Sequence, residues 1–454
     1  MARADRAERT ERDGRTERDG RRTASSSANA AGSANASWAA RVSGSDASRG
    51  RGRSGSSPSA GASRSARGES RYTGWRTLLN PLWCYWGFMA SVIVVTIFGL
   101  LMVFSSSSVD AVSNNQSPWS ELIDQGIFCA VGFVAAGLAM RMPQKFYQRL
   151  GGGIIVFAWL LQALTFTPLG KSVNGNNGWI HLGQLSFQPA EFLKLALCIW
   201  LPAGMILCQR RLRSHKLLKA YAPALVVSLI SFGLVMAGKD LGTAMIIVLL
   251  CAFAFLIGGF PIKVLLAACG AGVVGIVAMF VLGSSNRMQR ILATYGSCTA
   301  EQAQGVCFQS IHGTFAMGSG GLFGVGLGNS REKWNYLPEA HNDFIFAIIG
   351  EELGFVGATL LVLGFVTMGW CLVSVALQCR DAYARMVMVC IAGWIVGQAL
   401  INIAVVLGML PVMGLPMPFV SSGGSALVMC LAASGVAVRM MRAQPDIKAA
   451  LAKA

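Results

Sequence analysis

Asn335–Glu352 reads NYLPEAHNDFIFAIIGEE. A polar turn containing Pro338 runs into Phe344, Ile345, Phe346, Ala347, Ile348 and Ile349, the start of a long apolar helix. Glu339, His341 and Asp343 stand just before that helix, and Glu351 and Glu352 just inside it. Ionisable groups at or within a bilayer are expensive and usually serve a site or a pair. A carboxylate at a helix start also has a plainer use, capping free N–H groups and complementing the helix dipole. Both readings apply to Asp343. The crowding of charge on so apolar a chain favours a reaction site.

On both sides of this stretch the chain stays apolar: 54% of its 454 residues are hydrophobic and 13% are charged. A soluble domain averages about 25% charged. Ten apolar segments lie roughly at 84–104, 122–140, 152–167, 189–207, 221–237, 241–257, 263–282, 344–376, 386–410 and 420–438. Several approach or exceed the roughly 20 residues that cross a bilayer. The expected fold is an all-α integral membrane protein with about ten transmembrane helices. The net charge of +17 does not point to nucleic acid, because about half of the excess lies before residue 80.

Lys and Arg give the orientation, since basic connections stay inside. The connections with Arg141, Lys145 and Arg149, with Arg210, Arg211, Arg213, Lys216 and Lys219, with Lys263, and with Arg380 and Arg385 are basic. They alternate with less basic ones, so both termini are expected in the cytoplasm. The outer segments are then about 105–121, 168–188, 238–240, 283–343 and 411–419. The longest, 283–343, joins the seventh and eighth helices, and long connections in compact domains are usually functional.

Three regions follow: a disordered basic cytoplasmic tail at 1–72, a membrane domain at 73–440 and a short cytoplasmic tail at 441–454. The first is rich in Arg, Ser, Gly and Ala, and repeats TERDGR at Thr10–Arg15 and Thr16–Arg21. Such composition builds no core. No apolar stretch follows its start, so a cleaved signal peptide is not expected. Twelve cysteines include no CxxC pair. Cys298 and Cys307 lie in the long polar loop, where an oxidising exterior would allow a disulfide. Two free thiols fit the spacing as well.

The polar clusters all fall on the outer face. Asn174–Lys194, NGNNGWIHLGQLSFQPAEFLK, is a turn-rich loop entering a helix at Pro189. Trp179 could be an interfacial anchor. Glu191 and Lys194, spaced i, i+3, share a helix face and can pair. Asp240, in GKDLGT, can cap the helix beginning at Leu241 or hold a basic group. Gly318–Lys333, GSGGLFGVGLGNSREK, lacks the preceding strand and the GKS or GKT ending of a nucleotide loop. Its glycines allow tight turns or close approach to a bulky ligand, and Arg331 and Lys333 could bind phosphate. Gly408–Ser425, GMLPVMGLPMPFVSSGGS, is irregular backbone, tolerated at membrane depth only inside protein or along a cavity.

Together these stretches resemble the SEDS family of bacterial cell-wall proteins. The likeness covers about residues 84–440 and rests on GWIHLG…FQPAEFLK, KDLGTA, GGLFGVGLGNSREKWNYLPEAHNDFIFAIIGEELG and GMLPVMGLPMPFVSSGGS. GLGNSREK…YLPEAH is most similar to the family's division branch. The resemblance implies a ten-helix fold in the plasma membrane at the septum. It implies polymerisation of lipid II, the undecaprenyl-pyrophosphate-linked disaccharide-pentapeptide, into glycan strands. Implied partners are a class B penicillin-binding protein transpeptidase and other divisome proteins. The family's catalytic aspartate falls on Asp343, its helix-4 acid and lysine on Glu191 and Lys194, and its loop tryptophan on Trp179. Asn342 departs from the pattern, where threonine is commoner. The N-terminal arm and the Cys298–Cys307 insert lie outside it.

The implied donor is α-linked and the product β-linked, so one inverting displacement suffices. That requires a general base and stabilisation of the leaving pyrophosphate. Asp343 is the expected base. Trp179, Lys194, Arg331, Lys333 and His341 are the expected substrate-binding residues, with Glu191, Asp240 and Glu339 in support. No metal cage is visible, although a divalent cation (Mg or Mn) between acid and pyrophosphate would do similar work. A lipid II flippase is the alternative. It needs polar groups through the membrane depth, whereas these cluster at the outer end.

Overall fold

The computed structural model describes residues 72, 74–113, 115–173, 176–182, 185–283, 294–296, 304–305, 307–334 and 336–453. The expected tail at 1–72, apart from Tyr72, and Cys298 lie outside the described residues. Those described belong to one compact unit, Gly68–Ala454.

Each apolar segment forms a helix. They are α1 Pro81–Ser113, α2 Ser120–Arg141, α3 Gln144–Leu164, α4 Pro189–Arg211, α5 Leu217–Ala237, α6 Leu241–Ile257 and α7 Ile262–Gly283. After the long loop come α9 Ile345–Gln378, α10 Ala382–Val406 and α11 Gly424–Met441. Two shorter helices were not anticipated: α8 Phe308–Ser319, inside the loop, and α12 Pro445–Leu451, in the C-terminal tail. Among the described residues, seven helices (α1, α2, α4, α5, α9, α10 and α11) are long and apolar enough to cross a membrane. The first two turns of α3 carry Gln144, Lys145, Gln148 and Arg149, and α6 has only 17 residues.

α4, α10 and α11 bury most of their length and form the centre, while α2 and α5 face largely outward. Without a hydrophobic drive between helices in lipid, close packing has to hold them. Small residues permit it where α2 meets α11: a Cβ on Gly435 would stand 2.4 Å from the Ala136 carbonyl oxygen. Trp394, Phe344 and Leu193 are fully buried in the same core.

The basic connections meet at the end opposite Asp343. Gln144 Nε2 donates to Asp381 Oδ1 at 2.9 Å, and Arg439 Nε donates to the Met142 carbonyl at 2.8 Å.

The all-α expectation needs one correction. The connection before α4 is not merely turns but a three-stranded antiparallel sheet, β1 Gly170–Val173, β2 Asn176–Leu182 and β3 Leu185–Phe187, in that order. The strand signal is the alternation of β2: Ile180 is buried on one face, and Trp179 and His181 are half-buried on the other. Asn177 N donates to the Gly238 carbonyl at 2.9 Å, fastening the sheet to the α5–α6 turn.

Candidate functional site

Asp343 stands where three irregular segments converge. Phe344 is the N-cap of α9 and makes no side-chain cap, so Asp343 does not occupy the capping position. Its carbonyl accepts from Asn402 Nδ2 at 2.8 Å, and the same amide donates to the Leu415 carbonyl at 2.7 Å. One α10 side chain thereby ties the start of α9 to the 411–419 loop. Ser421 Oγ donates to the Asn342 carbonyl at 2.7 Å, and Ser422 N to the His341 carbonyl at 2.9 Å. The backbone of 341–343 is therefore held at every residue. The half-buried Asp343 carboxylate faces Gly414: a Cβ there would lie 3.5 Å from Oδ2. Gly414 has φ +71°, a value that costs an L side chain but not glycine.

Glu339 adopts φ 55°, and its Oε2 accepts from Asn342 Nδ2 at 2.7 Å. Asn342, the departure from the family pattern, thus braces the turn. Glu121, on α2, was not singled out in the sequence. Its Oε1 accepts from Ser422 Oγ at 2.5 Å, and Gln125 Nε2, one turn on, donates to the Ser421 carbonyl at 3.2 Å. The only sequence signal was an acid in the first turn of a helix, which resembles ordinary dipole compensation.

Lys194 is placed differently from the expectation. It was expected to bind substrate, but its side chain is fully buried. Its Nζ donates to Glu191 Oε1 and to Gln398 Oε1, each at 2.8 Å, and lies 5.1 Å from the Trp394 ring centroid. Gln398 Nε2 continues to the Pro416 carbonyl at 2.8 Å. The pair and its amide thus join α4, α10 and the 411–419 loop behind Asp343. A buried charge of this kind needs close partners, because desolvation is so costly.

Lys333 is likewise enclosed. Its Nζ donates to Glu352 Oε1 at 3.0 Å and to the Ser105 carbonyl at 3.3 Å, while Ser105 Oγ donates to Glu352 Oε2 at 2.7 Å. Glu351 receives Ser330 Oγ at 2.5 Å and Arg331 N at 3.0 Å. Glu351 and Glu352 therefore anchor the long loop onto α9 and α1.

The glycine-rich segment explains why. α9 is broken at Gly354 (φ 67°, ψ −166°). Phe355 N and Val356 N donate to the Gly321 and Leu322 carbonyls, and Val325 N and Gly326 N donate to the Glu351 and Glu352 carbonyls, all at 2.9–3.1 Å. A Cβ on Gly324 (φ +78°) would stand 2.1 Å from the Glu352 carbonyl oxygen. Gly320 and Gly324 thus permit close approach to the broken helix.

Asp240 is buried and caps α6, accepting from Thr243 N at 3.0 Å and Thr243 Oγ1 at 2.8 Å. Gln188 Nε2 donates to Asp240 Oδ2, which Thr243 Oγ1 shares, at 3.1 Å, bringing in the start of α4. Arg331 is exposed. His341 is half-buried beside Asp343 in the chain, and Trp179 sits on the sheet. Cys307 is disulfide-bonded, so it is not the free thiol that the spacing allowed; its expected partner, Cys298, is outside the described residues. Among the described residues, no three His, Cys, Asp or Glu side chains converge in a way that could hold a metal.

A family model described as cell cycle protein, covering FtsW, RodA and SpoVE, matches residues 85–445. The chain belongs to the FtsW/RodA/SpoVE family. Within that family it is 32% identical over 388 residues to the probable peptidoglycan glycosyltransferase FtsW of Mycobacterium tuberculosis, covering 85% of this chain and 73% of the relative. It is 36% identical over 353 residues to the stage V sporulation protein E of Bacillus subtilis, covering 78% and 95%. The crystal structure of the rod shape determining protein RodA from Thermus thermophilus superposes with a TM-score of 0.58 at 26% identity, covering 79% of this chain and 97% of RodA. A chain of a peptidoglycan synthase complex that coordinates polymerization and crosslinking superposes with a TM-score of 0.64 at 24% identity, a likeness of fold, covering 79% and 98%. The FtsW/RodA/SpoVE match spans α1 to α11, and with it every residue of the site above.

Proposed function

We propose that this chain is a peptidoglycan glycosyltransferase that polymerises lipid II into glycan strands at the division septum. The observation that carries the reading is the setting of Asp343. It is half-buried at the junction of α9, α10 and the 411–425 segment, on backbone clamped by Asn402, Ser421 and Ser422. Glu191, Asp240, Glu351 and Glu352 are buried, whereas Asp343 keeps part of its surface open. The names of the FtsW relatives support the same reading.

In the proposed reaction a sugar hydroxyl attacks the anomeric carbon of a second lipid-linked disaccharide. Asp343 takes the hydroxyl proton as the new C–O bond forms. The bond to pyrophosphate breaks on the opposite face, and undecaprenyl pyrophosphate leaves with inversion. Arg331, exposed on the loop, is the cation available to that leaving group. Lys194 and Lys333 act at one remove, by holding α4 to α10 and the loop to α9. A divalent cation shared by Asp343 and the pyrophosphate would draw most of its ligands from the substrate, and no step is assigned to it.

The flippase reading is weighed by depth. The buried Asp, Glu, Lys and Arg side chains among the described residues are Glu191, Lys194, Asp240, Lys333, Glu351 and Glu352. Each lies in the long loop, at a helix cap or within the first eight residues of α4 or α9. That is about 12 Å of helix, and it leaves the rest of the bundle without the polar path a flippase needs. The multi-pass chain is proposed to keep both termini in the cytoplasm. Its proposed partners are a class B penicillin-binding protein transpeptidase and other divisome proteins, a reading supported by the fold shared with the synthase complex.

The test is polymerisation of lipid II by purified protein. Polymer from the wild type, and its formation at least about a hundredfold slower by Asp343→Asn, supports the proposal. Transbilayer movement of lipid II without polymer would replace it by the flippase reading.

A further inference from the structure

At the end of the molecule opposite Asp343, the chain entering α1 meets the chain leaving α9 and the start of α12. A cavity of about 580 Å³ opens there, lined by Tyr72, Arg76, Gln378, Arg380, Gln444 and Asp446 among others. Small-molecule sites usually measure about 300–1,000 Å³. The 34 residues of α9 separate it from the reaction site, up to roughly 50 Å at 1.5 Å per residue.

The uncharged polar groups of the wall are satisfied by one another. Tyr72 Oη donates to Gln378 Oε1 at 2.9 Å, and Gln378 Nε2 donates to the Leu79 and Ser374 carbonyls at 2.8 and 3.0 Å. Gln444 Nε2 donates to Asp446 Oδ2 at 3.0 Å. The two guanidinium groups are left over. Neither Arg76 nor Arg380 makes an ion pair or a side-chain hydrogen bond among the described residues. Two arginines against Asp446 leave the lining with one net positive charge (2 − 1 = 1). That balance matches a monoanion better than a dianion.

Exposed tryptophans give the depth. Trp75, Trp83 and Trp86, on and before the first turns of α1, are 89%, 68% and 58% exposed. Trp370 is also exposed, and its Nε1 donates to the Leu78 carbonyl at 3.0 Å. Such residues collect at the level of lipid headgroups. On the proposed topology this is the cytoplasmic leaflet, where basic pockets between membrane helices take anionic headgroups.

We propose that this cavity binds the phosphodiester headgroup of an anionic glycerophospholipid, with Arg76 and Arg380 on the phosphate oxygens. The planar fork of arginine suits that contact. The site lies apart from the one that handles lipid II, and its occupant is a membrane lipid rather than a substrate.

Native mass spectrometry of the full-length protein, released from detergent with phosphatidylglycerol or phosphatidylcholine present, tests the proposal. The wild type should retain one phosphatidylglycerol in preference to phosphatidylcholine. Each arginine should contribute about fivefold, from roughly 1 kcal/mol per basic residue at such a surface. Arg76→Gln/Arg380→Gln should lose that molecule; both side chains are exposed, so folding is not at stake. Arg211→Gln/Arg213→Gln, on the exposed α4–α5 connection, should retain it. Asp446→Asn should bind it more tightly. Equal retention of the two lipids, or equal loss from both arginine pairs, would overturn the proposal. So would displacement of the lipid by inorganic phosphate or by undecaprenyl pyrophosphate, which would make this a site for free phosphate or for the lipid carrier.

Discussion

Asp343→Asn keeps the size of the side chain and removes the base. The backbone bonds that fix residues 341–343 come from Asn402, Ser421 and Ser422 and do not involve the carboxylate. The variant is therefore expected to insert and to bind lipid II normally, yet to polymerise at least about a hundredfold more slowly. Gel analysis of products from lipid II checks this, and near-normal polymer from a well-folded variant would remove Asp343 from the chemistry. Glu121 should behave otherwise. Glu121→Gln keeps an acceptor for Ser422 Oγ, whereas Glu121→Leu leaves that hydroxyl without one. A hydrogen bond to a charged group is worth about 1.5–3 kcal/mol. The leucine variant should then lose about tenfold or more in rate, with the glutamine variant between it and the wild type. Indistinguishable rates for all three would show that Ser422 needs no anchor.

Between elements, the buried pair Glu191–Lys194 ties α4 to α10. Breaking such a pair on one side typically costs about 3–5 kcal/mol, while replacing both partners by apolar residues can be neutral. Lys194→Met and Glu191→Leu are each expected to lower the thermal midpoint in detergent, and the double variant to recover much of the loss. A double variant as unstable as the worse single would argue that the charge itself is not what matters. The seam between the glycine-rich segment and the broken α9 predicts a second effect. Gly324→Ala places a Cβ against the Glu352 carbonyl at positive φ, a backbone strain of order 1–3 kcal/mol before any clash. Scanning fluorimetry should show a drop larger than that for Gly318→Ala, where a Cβ meets nothing within 4 Å.

Over the whole molecule, the topology is checked by labelling cysteines introduced at two exposed positions, Ser214 and Asn329, with an impermeant reagent. Intact cells should label Asn329→Cys and not Ser214→Cys; the reverse would invert the orientation. The ten apolar segments were legible as helices, and the seven long and apolar enough to cross a bilayer, among the described residues, left long, uninterrupted marks. Asp343 stood out as a candidate for a related reason: a charge beside such a run is conspicuous. Lys194 and Lys333 were legible as charges but not as to their work. Their burial depends on Gln398, Trp394, Ser105 and Glu352, which lie 19 to 228 residues away in the chain. The sheet at 170–187 left only a short alternation, Trp179-Ile180-His181, beside an Asn-Gly turn. Glu121 left less still, since its partner Ser422 is 301 residues distant.

The break in α9 bears on how the chain is made. The ribosome delivers residues 320–334 before it delivers Ile345–Gln378, yet the backbone N–H groups of Val325 and Gly326 find their acceptors only on Glu351 and Glu352. Lys333 waits for Glu352 in the same way. Until α9 has entered the bilayer, this segment has nowhere dry to put its donors, and it must remain in water. Biogenesis therefore has an order: α9 is inserted first, and the loop is seated afterwards against a groove that its own successor provides.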